Sequence, residues 1–401
     1  MSKIAWLDYD GVAREKSLQL LSAFQEKESL DELGLGTIRD AISDKMFPGT
    51  STIMTRLRYM LFVPWLFKRL EEAGVVKDFL KRADEDERNL VRVLKAECGL
   101  KAGVIGARAG EFVKRLPSDI YWAGLKAWGI RQRDLTVDEY AECVGGWRLA
   151  DKIRSRLLRR CIEEGEGLAA ANDAQGMWCS SLPSPPVDFP RRATFELTLG
   201  EAMFLKECII RNCGGSLLAT LATGRYEVNV DYPWLLDFPE HREVLYHAKM
   251  FAVVMYGAMI LYNILLTRHH NETIGGDVSR AWAVKHDEEW ESWRQEVEKL
   301  DVRAWNPDPL FQMTPRVTDS TKAFVRDWVE LVQDGVGGLR HSPSVEQKIR
   351  ARERGLKKAR SRFENRKALE QWGGRSGVRF DYRWNLVRRL LLDLYAGLEA
   401  R

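Results

Sequence analysis

The run from Pro48 to Tyr59 places three hydroxyls, Thr50, Ser51 and Thr52, beside a Pro-Gly turn and follows them with Arg56 and Arg58. A turn that opens a helix leaves its first N–H groups unpaired and aims the positive end of the helix dipole outward. Hydroxyls beside such donors, with two arginines a turn or more further on, suit a phosphate or sulfate. The same residues also make an ordinary N-cap with arginines on a solvated face. A second phosphate-directed feature is electrostatic. Residues 348–367 hold ten cations, Lys348, Arg350, Arg352, Arg354, Lys357, Lys358, Arg360, Arg362, Arg366 and Lys367, against Glu353 and Glu364. The local charge is +8 in a chain of net charge +4, so the remainder sums to −4. Such asymmetry suits a nucleic-acid backbone, because each neutralised phosphate releases counterions. Arg379, Arg383, Arg388 and Arg389 follow, with Trp372 and Trp384 as stacking partners. The competing readings are an acidic partner protein or a solvated face.

Arg242 and His247 give a third constellation, an R-x4-H spacing at the head of a long apolar helix. It resembles helical ribonucleases of the HEPN class, in which the arginine and histidine steady a phosphate and move a proton while a ribose 2′-hydroxyl attacks. A surface arginine and a packed histidine give the same two letters. His269-His270 with Glu272 and His286 offers little to a metal, since adjacent helical histidines point about 100° apart. Glu346-Gln-Lys348 has the E-x-K form of a restriction-type nuclease half-site but opens a helix where that site needs strands. Asp8 and Asp10 read as solvated or capping carboxylates. Gly103 to Gly110 fits neither a Walker loop nor GxGxxG and reads as loop punctuation. No G-x-S-x-G, HExxH or kinase set occurs. The expectation is no metal and no cofactor.

The elements that must position these groups are helices. Leu18, Leu21 and Phe24 recur at helical spacing. A helix is expected from Thr52 to Leu70, kinked or divided at Pro64. Further helices are expected over 75–94 and 137–162, from a capping box at Thr198–Glu201, near Glu240, over 287–300, from Thr318 or Asp319, from Ser342-Pro343 through the basic run, and over 382–398. Strand signals are confined to Lys3–Tyr9 and Tyr226–Val230. The fold class expected is mainly α, as two helical lobes with at most a very small β element. The Pro/Ser-rich stretch 169–195, a linker or long loop, separates an N-terminal helical domain, 1–168, from a C-terminal one, 196–401.

Composition supports a large globular core: 401 residues, 45% hydrophobic and 30% charged. The six cysteines form no CxxC pair and read as reduced thiols in a cytoplasm. The N-terminus has no apolar signal core. Met250 to Tyr262 is uninterrupted apolar sequence that reaches the roughly 20 residues of a membrane span only by including Asn263 and Thr267. It reads as the buried helix of a large core, and no membrane association is expected.

ELGLGTIRDAISDKMFPGTSTI, TRLRY and FVPW, with GVIGARAGEFVKRLPSDIYWAGLKAWGI (103–130) and DYRWNLVRRLLLDLYAGLE (381–399), resemble the bacterial domain of unknown function 6361. These stretches span almost the whole chain. The resemblance implies a bacterial protein encoded beside helicases, nucleases or methyltransferases of genome-defence clusters, with no catalytic residues to carry over. The reading is therefore an accessory nucleic-acid-associated protein of a defence or genome-maintenance locus, more suited to DNA than RNA, without intrinsic catalysis and with a helicase or nuclease as partner. Its phosphate contacts are expected from Arg350, Arg352, Arg354, Lys357, Lys358, Arg360 and Arg362, and from Thr50, Ser51, Arg56 and Arg58. The alternatives are a metal-independent ribonuclease using Arg242 and His247, or a scaffold for a helicase or nuclease.

Overall fold

The computed structural model describes residues 31–99, 103–107, 109, 113–147, 176–314 and 316–400. The expected strand at Lys3–Tyr9, the helix through Leu18–Phe24, the carboxylates Asp8 and Asp10, Cys161 and the end of the 137–162 helix lie outside these residues. In chain order the helices are α1 (Gly36–Met46), α2 (Tyr59–Ala73), α3 (Phe79–Cys98), α4 (Pro117–Ala127), α5 (Leu199–Asn212) and α6 (Leu217–Thr223). Then come α7 (Arg242–Thr273), α8 (Asp277–Val297), α9 (Asp308–Met313), α10 (Asp319–Asp334), α11 (Pro343–Lys357), α12 (Arg366–Glu370) and α13 (Trp384–Leu398). Residues 137–147 are also helical. The fold is mainly α: among the described residues there is no strand, Tyr226–Val230 included, and β pairing is a single bridge between Arg131 and Trp178.

Two compact units interleave along the chain. One comprises residues 1–43 and 232–382, the other 44–231 and 383–401, so no unit boundary falls within 169–195. The described part of that stretch is a long irregular loop that buries Met177, Trp178, Leu182 and Phe195, with the Trp65 indole donating to the Pro183 carbonyl at 2.7 Å.

The first unit is built on α7, whose residues are buried almost throughout because its sequence is apolar on every side. Pro239–Thr273 is long and apolar enough to cross a membrane, but 94% of its most apolar window is buried inside the protein. Its backbone carbonyls also serve as acceptors for surrounding side chains. Trp293 Nε1 donates to Val253 O, Trp328 Nε1 to Val254 O and Tyr382 Oη to Ala248 O, each at 2.8 Å. Asn263, the polar break in the run, exchanges two hydrogen bonds with the Ser376 backbone, at 3.1 and 2.9 Å. Close approach of α8 depends on Gly257, where an added Cβ would lie 2.1 Å from Trp293 Cζ2. Gly257→Ala therefore forces the indole off its rotamer; we expect a loss of about 1–3 kcal/mol, read as a lower urea midpoint at unchanged slope. An unchanged midpoint would mean that α8 slides aside at no cost.

The second unit is organised by α2, which buries ten of its fifteen residues and packs against α3 and α4. α2 runs undivided through Pro64 and starts at Tyr59, seven residues later than the sequence pattern suggests. The Pro48-Gly49 turn does not open it. Gly49, at φ +77°, lies against Trp128, whose Nε1 donates to Pro48 O at 2.9 Å; an added Cβ would sit 2.6 Å from that nitrogen.

Candidate functional site

The backbone N–H groups and arginines of residues 47–58 are met by side chains of the same unit. The Thr55 and Arg56 N–H groups donate to Tyr121 Oη at 2.9 and 3.1 Å, and Leu57 N–H donates to Asp393 Oδ2 at 2.9 Å. The Arg56 guanidinium grips the same carboxylate through Nε, 2.9 Å from Oδ2, and Nη2, 2.8 Å from Oδ1, while lying 4.7 Å from the Phe195 ring. Asp393 of α13 thus stands where a phosphate was expected. Arg58 is buried, ion-paired with Glu201 at 2.7 Å and bonded to Thr194 O at 2.9 Å. Thr50 Oγ1 donates to Phe47 O at 2.7 Å, and Ser51 Oγ is buried without a hydrogen-bond partner among the described residues. The turn is an internal joint of the second unit.

The basic segment divides into a buried and an exposed part. α11 ends at Lys357, and Lys358 takes a left-handed φ of +50°, so the expected long helix breaks there. Arg352 turns inward: Nε donates to Leu33 O at 2.9 Å and Nη2 to Thr321 Oγ1 at 2.8 Å, and burial lowers its pKa. One buried acid takes the next pair of cations, and a second is held by neutral donors. Glu32 meets Lys357, and Arg362 Nη1 at 2.5 Å. Glu353, fully buried, accepts from Ser361 Oγ and from the Arg362 N–H at 2.8 Å, while Tyr262 Oη lies 3.4 Å from it. Arg350 bonds Glu346 at 2.9 Å beneath Phe363, and Lys348 meets Asp327 at 2.7 Å. Arg350, Arg352, Lys357 and Arg362 therefore belong to the packing of the first unit. Arg354, Lys358, Arg360, Arg366 and Lys367 remain exposed. Arg354 and Arg366 carry surface pairs, to Glu364 at 2.6 Å and Glu370 at 3.0 Å.

Arg242 and His247 face different ways, as a five-residue step of roughly 140° around a helix requires. Arg242 is exposed, 3.7 Å from Asp237. His247 is buried, its Nδ1 accepts from Trp305 Nε1 at 3.1 Å, and burial lowers its pKa, keeping the ring neutral. Among the described residues no group of three or more His, Cys, Asp or Glu is placed to hold a metal. His270 Nδ1 bonds Ser279 Oγ at 2.7 Å and His286 Nε2 bonds Gly374 O at 2.8 Å, so the histidines have separate partners. Burial pushes the Cys208 and Cys213 thiols up to about 12 and about 11, far from reactive thiolates.

Arg242 also lines a pocket of about 300 Å³ in the first unit. Its floor is one face of α7, with Arg242, Leu245, Tyr246 and Lys249 at positions i, i+3, i+4 and i+7, and its opposite wall is the segment Trp234–Phe238. The R-x4-H reading passes over this face; the helical spacing of those four residues was the available signal.

A family model described as a family of unknown function (DUF6361) matches residues 1–141 and 165–397. Comparison with curated proteins and with solved structures gave no match. The match covers most of the sequence, and the chain belongs to the DUF6361 family.

Proposed function

We propose that the protein is an accessory nucleic-acid-associated factor that contacts phosphate backbone through Arg354, Lys358, Arg360, Arg366 and Lys367. The observation that carries this reading is the division of the basic segment. Its half-buried cations are taken up by Glu32, Glu346 and backbone carbonyls, yet five others lie exposed within fourteen residues. The surface ion pairs of Arg354 and Arg366 are weak and screened, so a phosphate can replace either carboxylate. The genome-defence or maintenance setting, with a helicase or nuclease as partner, comes from the family resemblance.

Fluorescence anisotropy with labelled duplex DNA, single-stranded DNA and RNA, at low and near-physiological salt, tests the reading. Affinity should fall steeply with salt, each phosphate neutralised contributing about 0.9 to the log–log slope. Charge reversal at Arg354, Lys358, Arg360 and Lys367 should abolish binding at near-physiological salt. Arg352 and Lys357 are unsuitable for this experiment because they hold the fold. Absence of binding at either salt would sink the proposal and leave the exposed cations to a protein partner.

A further inference from the structure

We infer that the pocket between Trp234–Phe238 and α7 binds one nucleotide unit, a flat base carrying an anionic phosphate. Its volume of about 300 Å³ lies at the small end of ligand pockets, enough for one such unit. The α7 face that floors it sets an apolar centre, Leu245 and Tyr246, between two cations, Arg242 and Lys249, about 10 Å apart along the axis. Tyr246 is 43% exposed and Leu235 on the opposite wall 58%, so apolar surface stands open inside a concave site. Trp234 is held in place by Tyr232, stacked at 4.4 Å with planes 9° apart, which gives the wall a fixed aromatic edge.

Charge narrows the choice of ligand. Asp237 faces Arg242 at 3.7 Å, both side chains largely exposed. Lys249 is half-buried and has no ion-pair partner among the described residues, so the pocket holds one uncompensated positive charge. A neutral apolar molecule would cover Tyr246 and Leu235 but leave that ammonium desolvated and unpaired. Bare phosphate would pair Lys249 but leave the apolar wall wet. A cationic ligand meets repulsion. A base against Tyr246 and Leu235 with its phosphate on Lys249 satisfies both halves. This goes beyond the backbone contact proposed above and stands without it, because the pocket contains none of residues 354–367.

Isothermal titration of the full chain with AMP, adenosine and inorganic phosphate tests the site. AMP should saturate it, with adenosine and phosphate each at least about tenfold weaker, since each offers half of the recognition. Tyr246→Ala and Lys249→Gln should each weaken AMP about tenfold. Circular dichroism should show both variants folded. A 5′-phosphorylated oligodeoxyadenylate separates the two sources: displacement by AMP marks a strand end, and AMP binding alone marks a free nucleotide. The proposal is overturned if AMP fails to saturate at millimolar concentration, if phosphate binds as tightly as AMP, or if neither variant changes the affinity.

Discussion

Glu353→Ala should destabilise the unit built on α7 by about 3–5 kcal/mol, the usual cost of breaking a buried charged network from one side. Glu353 has no exposed surface and accepts from Ser361 Oγ and the Arg362 N–H. Its neighbour Glu32, 4% exposed, takes Lys357 and Arg362. The Tyr262 hydroxyl lies between them, 3.5 Å from Glu32 and 3.4 Å from Glu353. Two acids and two cations balance. Truncating Glu353 strands a hydroxyl and a backbone N–H and leaves one positive charge in excess inside the protein. Glu353→Gln keeps an acceptor for one of those donors and should cost clearly less. The comparison is made by urea denaturation at neutral pH. A loss under about 1 kcal/mol for the alanine variant would mean that water enters and replaces the carboxylate.

The second large effect should appear on a pH axis. Glu87 of α3 is 1% exposed and accepts from the Ser118 N–H at 3.1 Å and from its hydroxyl at 3.0 Å. Burial, with Asp119 and Asp84 adding repulsion, pushes its pKa up from 4.5 to about 8. The folded protein therefore holds a proton that the unfolded chain has already released across that interval. Stability from this group is complete below pH 4.5 and is lost as pH rises through about 8. A separation of that size corresponds to roughly 5 kcal/mol at most, and the positive end of α4 beside the carboxylate works against it. Glu87→Gln keeps the carbonyl acceptor and removes the titration. We expect its stability to exceed that of the parent increasingly from pH 5 to pH 8.5, followed as the difference between their urea midpoints. A constant difference across that range would refute a buried neutral carboxyl at this position.

Local features of this fold were legible because they depend on neighbours in sequence. The uninterrupted apolar run identified α7 as a core helix. The Thr198–Glu201 box is present, with Thr198 N–H donating to Glu201 Oε2 at 3.0 Å and Glu201 N–H to Thr198 Oγ1 at 3.3 Å. Thr318 caps α10 and Pro343 opens α11 as their types suggest. What escaped notice is the second use of the same residues. Glu201 also pairs with Arg58, 143 residues away, and Arg56 finds its anion in Asp393, 337 residues away. A local charge count treats every cation in 348–367 as available, whereas Glu32, from the opposite end of the sequence, neutralises part of it. Nothing local to the turn at Pro48 could say that Arg56 and the Leu57 N–H meet a carboxylate more than three hundred residues further on.

The interleaved boundaries bear on how the protein is made. The unit of residues 44–231 needs 383–401 to complete it, and that of 1–43 needs residues as late as 382. A ribosome delivering the chain from its N-terminal side cannot release either unit finished until residues 382 and 383–401 have emerged. Until then α5 and α6 lack α13, their packing neighbour, and Arg56 lacks Asp393. Nascent chains stalled before Trp384 should therefore stay protease-sensitive and occupied by chaperones, and a gene cut at the Pro/Ser-rich stretch should yield two insoluble fragments that recover only when co-expressed.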